Sequence, residues 1–457
     1  MLTELSATNF KSWPTLGPMR LAPLTGLFGA NSSGKTSVLQ LLLMLRQTVE
    51  SSDRAAVLEF GDERSSANLG SFRDVVFGHR KPGSLDFSVG WKRDRPLVIR
   101  DPQRQDNTLF TGAKLGFRAT ISESDLGKPM VTTLTYDING SSFVMRRKAP
   151  ASSKKERYEL VTNGSDFRFV RSQGRAWELP APVKCYGFPD QVYAYYQNAG
   201  FLAELQLSLE EMLKRIFYLG PLREFPQRHY TWPGSEPADM GRRGERVVHA
   251  ILASRKRGPC ISPGYRKKKQ TLEERVAFWL KELGLIYDFS VKAIADESNQ
   301  YQVRVQKAPD SAQVLITDVG FGVSQILPVL VLCYYVPEHS TILLEQPEIH
   351  LHPLVQSGLA DVFIDVIKNR NVQVIVESHS EHLLRRFQRR IAEETLTTDQ
   401  AAFFFCEMKS GGSAITPLDV DLLGTITNWP KDFFGDEFGE VAATMEAAMK
   451  RKQSQSA

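Results

Sequence analysis

The sequence predicts an α/β fold built on a mixed sheet with a parallel core, carrying an antiparallel β-lobe and a helical, basic insertion. Three observations predict it. The stretch Gly29-Ala30-Asn31-Ser32-Ser33-Gly34-Lys35-Thr36 lies between the apolar run Gly26–Phe28 and the apolar stretch Ser37–Leu45, in the order strand, glycine loop, helix. Two further apolar runs, Thr341–Leu344 and Val372–Val376, each deliver an acid at their C-terminal end, as strands buried on both faces do in a parallel sheet. From about Ser84 to Val170 short β-type runs are separated by turn residues, including Asn139-Gly140 and Asn163-Gly164.

At 457 residues the chain has length for two or three domains and a sizeable core. A net charge of +5 is too small by itself to imply a nucleic-acid partner. Cys185, Cys260, Cys333 and Cys406 are far apart and form no C-x-x-C pair, so neither a zinc site nor a disulfide framework is indicated, and a reducing cytoplasm fits. The N-terminus lacks a basic segment followed by an apolar core, and no run of about 18 apolar residues occurs, so no membrane partner is expected.

The first stretch explains itself chemically. Gly29 and Gly34 let the backbone curl so that N–H groups from Asn31, Ser32, Ser33 and Ser37 can face an anion, and the helix N-terminus adds its partial positive charge. Lys35 then sits on the outer phosphates of a nucleotide, and the Thr36 hydroxyl ligates Mg²⁺.

Taken in order, residues 2–28 read as two strands, Leu2–Phe10 and Leu21–Phe28, around Asn9-Phe10-Lys11-Ser12-Trp13. The β-lobe spans 84–175, with runs at Leu85–Trp91, Leu115–Ile121, Val131–Tyr136, Phe143–Met145 and Phe167–Val170. A helical and basic insertion spans 176–310: an amphipathic helix over Leu205–Leu219, a Gly/Pro/aromatic connection, and a helix from Thr271-Leu-Glu-Glu274 through Leu283, opened by a capping box and stopped by Gly284. Arg255, Lys256 and Arg257, with Arg266, Lys267, Lys268 and Lys269, form the best nucleic-acid candidate, for DNA or RNA; the other reading is a solvated loop. Arg146–Lys148 with Lys154 and Lys155 is a weaker basic group. The C-terminal part of the core spans 311–440, and 441–457 reads as a disordered basic tail.

The Asn9-Phe10-Lys11-Ser12 hairpin ahead of the phosphate loop resembles the ATPase heads of the ABC superfamily, especially recombination-repair and SMC-type heads and their OLD-like relatives. The resemblance implies an ABC-type P-loop ATPase head binding ATP and Mg²⁺, with Lys11 touching phosphate or ribose; an exposed turn lysine is the other reading. Gly320-Phe-Gly322-Val-Ser324-Gln325 looks like the ABC signature loop, so Gly322, Ser324 and Gln325 would complete the site of the opposite subunit in a head-to-tail homodimer. Thr341-Ile-Leu-Leu-Glu345-Gln346-Pro-Glu348-Ile-His350-Leu-His352 matches the Walker B element, with Glu345 as the Mg²⁺-side acid. Gln346 stands where typical members carry the catalytic glutamate; glutamine orients water but accepts no proton, so turnover is slow or rests on Glu348. A polar turn is the alternative for Glu348, His350 and His352, and zinc on the two histidines is disfavoured by the Walker context. His379 matches the switch histidine that reaches the γ-phosphate.

The segment Asn428-Trp429-Pro430 with Phe433-Phe434 resembles the end of a bacterial ABC-type ATPase family related to OLD proteins. The expected function is an ATP-binding, slowly hydrolysing sensor or assembly subunit with a separate effector nuclease, similar to the ATPase subunits of anti-phage systems of the Septu or PARIS type. The alternative is a self-sufficient DNA-processing ATPase-nuclease.

Overall fold

A computed structural model describes residues 1–100, 108–124, 126–148, 157–174, 178–430, 443–449 and 451. In chain order, β1 (Leu2–Phe10), β2 (Trp13–Arg20) and β3 (Leu24–Gly29) precede α1 (Lys35–Glu50) and the single turn α2 (Phe72–Val75). Then come β4 (Ser84–Arg100), β5 (Thr108–Glu123), β6 (Pro129–Ile138), β7 (Ser141–Arg147) and β8 (Tyr158–Asn163). Next are α3 (Asp190–Tyr195), α4 (Leu202–Lys214), β9 (Ile216–Leu219), β10 (Tyr230–Thr231), α5 (Val247–Ser254), α6 (Leu272–Glu282), β11 (Asp288–Ala293), β12 (Gln300–Gln306) and β13 (Val314–Leu315). The C-terminal part holds α7 (Phe321–Tyr335), β14 (Thr341–Glu345), α8 (Pro353–Asn369), β15 (Gln373–Glu377), α9 (Glu381–Ala392), β16 (Ala401–Lys409) and β17 (Gly412–Leu418).

The core is a six-stranded mixed sheet in the order β17-β16-β3-β15-β14-β9. All neighbours are parallel except β17, which returns antiparallel on β16. Every residue of β3, β14 and β15 is buried, which is why their runs are continuously apolar rather than alternating. Leu343 and Ile375 face the cluster shared with α1 and the antiparallel sheet, while Ile342, Leu344, Val374 and Val376 face the cluster of α7, α8 and α9.

The second sheet is fully antiparallel, in the order β2-β1-β4-β5-β6-β7-β8. The expected lobe of residues 84–175 therefore shares one sheet with β1 and β2. A small antiparallel sheet, β10-β12-β11 with β13 on β12, packs beside α5 and α6.

Several expectations need correction. Residues 2–28 form three strands, not two; β2 holds Pro14 and Pro18 and sits at the sheet's edge, where a missing N–H is tolerated but the sequence pattern is obscured. Phe167–Val170 is not a strand: Phe167 and Phe169 pack edge-on against Phe143, and β8 takes the ladder position instead. The amphipathic helix ends at Lys214, and Ile216–Leu219 is β9, a core strand within the range assigned to the insertion. The insertion also holds the small sheet, so it is not purely helical. Residues 443–449 of the expected disordered tail are helical, as Ala, Met and Glu favour; residues 450 and 452–457 lie outside the described residues, as do Lys154, Lys155, Phe433 and Phe434. The Thr271–Glu274 capping box is present, with Thr271 Oγ1 accepting from the Glu274 N–H at 3.2 Å and Glu274 Oε2 accepting from the Thr271 N–H at 2.7 Å. Among the described residues no helix is long and apolar enough to cross a membrane, and the four cysteines are free.

Candidate nucleotide site

The site is built where the parallel strands end. β3 runs into the glycine loop, whose backbone leaves no room for side chains at two positions. Gly29 has φ +133° and a Cβ there would lie 2.0 Å from the Cys406 carbonyl; Gly34 has φ +89° and a Cβ would meet the Ser413 and Ser12 hydroxyls within 2.6 Å. Both positions lie in the region glycine alone enters freely. The loop is clamped from outside: Trp13 Nε1 donates to the Gly34 carbonyl at 3.0 Å, and Ser12 and Ser413 bond each other through hydroxyls at 2.8 Å.

Lys35 is buried, its Nζ donating to the carbonyls of Gly29 (3.0 Å) and Ala30 (2.6 Å) and to Ser33 Oγ (3.3 Å). Burial pulls its pKa down. The Thr36 hydroxyl bonds both oxygens of Glu377, at 3.0 and 2.9 Å. A cavity of about 250 Å³ is lined by Ser12, Asn31–Ser37, Gln346, Glu377 and His379.

Strand order decides which acid reaches the loop. β15 lies directly beside β3, whereas β14 is one strand further out, and Glu345 pairs in register with Glu377. Glu377 therefore meets Thr36, while Glu345, expected as the Mg²⁺-side acid, lies one strand further out. Glu345 Oε1 instead accepts from the Tyr218 hydroxyl at 2.9 Å. Burial, with Glu377 adding to it, pushes the Glu345 pKa up to about 7, against Tyr218 and Arg223. Burial also raises Glu377, opposed by Thr36 and Lys35.

Gln346 has φ +42° and its N–H donates to the Glu377 carbonyl at 2.9 Å. A glutamine held left-handed is strained, and such strain persists only where the surroundings enforce it. Glu348 is buried; Oε1 accepts from the His379 N–H at 2.7 Å, and Oε2 has no partner at bonding distance. Burial raises its pKa, while the His379 N–H, the nearby Ser378 hydroxyl and Arg223 favour the ionised form. Burial and then Lys35 lower the His379 pKa, against the Gly29 backbone, so its imidazole stays neutral near pH 7.

Other residues singled out from the sequence fall elsewhere. Lys11 does not line the cavity; its Nζ donates to Gln40 Oε1 at 2.8 Å. Gly322, Ser324 and Gln325 lie at the start of α7, away from the cavity, with Ser324 Oγ donating to the Phe321 carbonyl at 2.7 Å. His350 stands edge-on to Phe321, and His352 Nδ1 caps α8 through the Leu354 N–H. In the basic loop, Arg255 pairs with Glu273, Arg257 pairs with Glu236, and Lys256 lies over the Trp232 ring. The exposed Arg266–Lys269 carries no ion pair among the described residues, although Arg266 lies over the Tyr265 ring.

Two residues at or beside the site escape sequence reasoning. Glu377 stands out in the sequence only as the acid that ends the second buried run, ahead of Ser378-His379, with nothing to mark it as the partner of Thr36. Arg223, inside Gly220-Pro-Leu-Arg-Glu, is 7% exposed and has no signal but its proline-glycine setting.

Two stretches of the core match known domain families. Residues 24–126 match a family model described as "AAA domain, putative AbiEii toxin, Type IV TA system", and residues 259–384 match one described as "AAA ATPase domain". The first contains the glycine loop; the second runs from the basic loop through Gln346, Glu348 and His379. Both stretches are thus similar to AAA-type domains, the second described as an ATPase, which supports an ATPase of that type. Residues 396–443 match "Protein of unknown function (DUF3696)".

One curated protein is similar over 99 residues at 33% identity, the outer membrane protein assembly factor BamA of Neisseria meningitidis serogroup B; the match spans 20% of this chain and 12% of that protein. Among solved structures, the SMC head domain from Thermotoga maritima aligns at TM-score 0.39 and 12% identity, covering 92% of this chain and 99% of that one. An SmcHead bound to the C-winged helix domain of ScpA aligns at 0.47 and 11%, covering 92% and 98%. The Smc head domain with an extended coiled coil, bound to the C-terminal domain of ScpA from Pyrococcus furiosus, aligns at 0.41 and 10%, covering 92% and 96%.

Proposed function

We propose that the chain binds ATP with Mg²⁺ at the Lys35 loop and hydrolyses it slowly, acting as a nucleotide-controlled subunit that pairs head-to-tail with a second copy. The observation that carries this reading is one cavity gathering Ser12, the whole Asn31–Ser37 loop, Gln346, Glu377 and His379 from four separate segments. Its N–H groups and Lys35 suit a polyphosphate.

The residues fit Mg²⁺: Thr36 supplies a hydroxyl already held by Glu377, and Glu345 lies one strand away in register, both acids kept from water by burial. Bound there, Mg²⁺ supplies charge neutralisation at the outer phosphates. Lys35 turns from the Gly29 and Ala30 carbonyls to phosphate. Gln346 orients a water from the cavity wall. Glu348 leaves a buried carboxylate oxygen unpartnered, and that oxygen is the candidate acceptor for the water's proton. His379 lines the same cavity, and its single imidazole N–H, released from the Gly29 backbone, can turn toward the γ-phosphate.

The head-to-tail arrangement is supported by the glycines at the start of α7. A Cβ at Gly320 would meet nothing within 4 Å, and one at Gly322 nothing closer than 3.8 Å. Packing within this chain does not demand them, whereas close approach of a partner's phosphate does. Leu222, Phe225, Phe321 and Leu354 are exposed, with the rings of Phe225 and Phe321 side by side. The match over residues 24–126 to a domain described through AbiEii supports a place in bacterial defence, with effector chemistry in a separate nuclease. Light-scattering mass with ATP and Mg²⁺ tests the assembly: wild type doubles in mass, while Lys35→Ala and Ser324→Arg stay single. A wild type that stays single at every ATP concentration ends the head-to-tail reading.

A further inference from the structure

The loop after β9 carries two features that the nucleotide cavity alone does not explain. Arg223 is 7% exposed, and its guanidinium makes one long contact, Nη2 to the Glu345 carbonyl at 3.5 Å. Its Nε and Nη1 are buried with no partner. A buried guanidinium with two unpaired donors is costly, because each lost hydrogen bond to water goes uncompensated. Glu348, near enough to bias the charge of Arg223, carries the complementary deficit: an unpartnered buried Oε2. Tyr218 and Glu345 are the other titratable neighbours on this side, and Lys35, Glu377 and His379 stand beyond Glu348 on the cavity side. The same short loop reaches the surface. Leu222 and Phe225 are 64% and 71% exposed, and the Phe225 ring lies 6.0 Å from that of Phe321, the first residue of α7.

We propose that Arg223 is the positioning residue for Glu348, closing an unpaired donor on one lone pair of the free Glu348 oxygen and leaving the other lone pair for the water's proton. This inference rests on the ATPase reading given above. The fork of a guanidinium can hold the Glu345 carbonyl and the Glu348 carboxylate at once, which an ammonium cannot. Paired, it fixes the carboxylate to which the ATPase reading assigns the water's proton. Arg223 itself touches neither nucleotide nor water.

Steady-state turnover, ATP affinity and melting temperature are measured for wild type, Lys35→Ala, Arg223→Lys, Arg223→Met, Glu348→Gln and the Arg223→Lys/Glu348→Gln double variant. Lysine keeps the charge, so the Arg223→Lys chain folds. Its kcat is expected to fall about tenfold or more, within the range of lost acid–base assistance, while ATP affinity stays within about threefold, since loss confined to the transition state leaves binding intact. In the double variant the kcat matches Glu348→Gln alone within about twofold, because positioning has no effect once its target is gone. Multiplying losses in the double variant, or a folded Arg223→Lys or Arg223→Met with wild-type kcat, overturns the proposal. A wild type whose turnover does not depend on Lys35 overturns instead the ATPase reading on which it stands.

Discussion

The Thr36 hydroxyl bonds both carboxylate oxygens of Glu377, at 3.0 and 2.9 Å, across 341 residues of sequence. That contact ties the first residue after the Lys35 of the loop to the end of β15, and under the proposed ATPase reading it makes Glu377 an acid placed to share a metal with the loop. Glu377→Gln is therefore expected to raise the Mg²⁺ needed for ATP binding and to weaken that binding about tenfold, the worth of one hydrogen bond to a charged group. Thr36→Ala does the same, and the double variant adds little, since the two act as one unit. Titrating ATP affinity against Mg²⁺ checks it; an unchanged Mg²⁺ requirement in Glu377→Gln removes that residue from the metal site.

Glu345 gives the nucleotide-free chain a pH signature. Its folded-state pKa, pushed up to about 7 from 4.5, means that between those values the folded chain keeps a proton that the unfolded chain has released. Stability is then greatest below the ordinary value and falls as pH rises through 7. Burial raises Glu348 and Glu377 in the same direction, so the measurement must isolate one group. In chelator, the melting temperature of wild type falls relative to Glu345→Gln from pH 5 to pH 8. Parallel curves would place the Glu345 carboxylate in water.

Much of this site is legible in the sequence, and what is hidden has identifiable causes. The Lys35 loop, the runs ending at Glu345 and Glu377, and His379 announce themselves because glycine spacing and continuous apolar strands are local patterns. Strand order is not local: nothing in the sequence places β15 between β3 and β14, so the Thr36 partner cannot be read from it. β9 is hidden because Ile216–Leu219 continues the apolar spacing of α4, and only pairing with β14 makes it a strand. β2 is hidden by its prolines, and the Phe167–Val170 run misleads because its aromatics pack as a cluster and not as a ladder.

Lys184 is a second test of how the core is held. It has φ +54°, and its buried Nζ donates to the carbonyls of Thr48 and Ser51 at 2.7 and 2.6 Å, satisfying the C-terminal end of α1. Lys184→Met leaves those carbonyls unpaired and is expected to destabilise the chain by about 1–3 kcal/mol. Chemical denaturation measures it, and a loss below a few tenths of a kcal/mol would mean that water replaces the ammonium.

The basic loop divides into two parts with different expected behaviour. Arg255 and Arg257 are tied to Glu273 and Glu236, so replacing them lowers stability. Replacing Lys267, Lys268 and Lys269 together leaves the melting temperature unchanged and, if the loop holds DNA or RNA backbone, lowers the salt dependence of binding by about 0.7–0.9 for each phosphate that these lysines neutralise. An unaltered salt slope would return the loop to solvent.

ATP turnover of the purified chain, wild type against Lys35→Ala, tests the central claim most directly. The account predicts slow, Mg²⁺-dependent hydrolysis that is abolished by Lys35→Ala while the melting temperature of the nucleotide-free variant stays near that of wild type. A wild-type chain that neither binds nor hydrolyses ATP would contradict it, and the cavity at Lys35 would then need a different ligand.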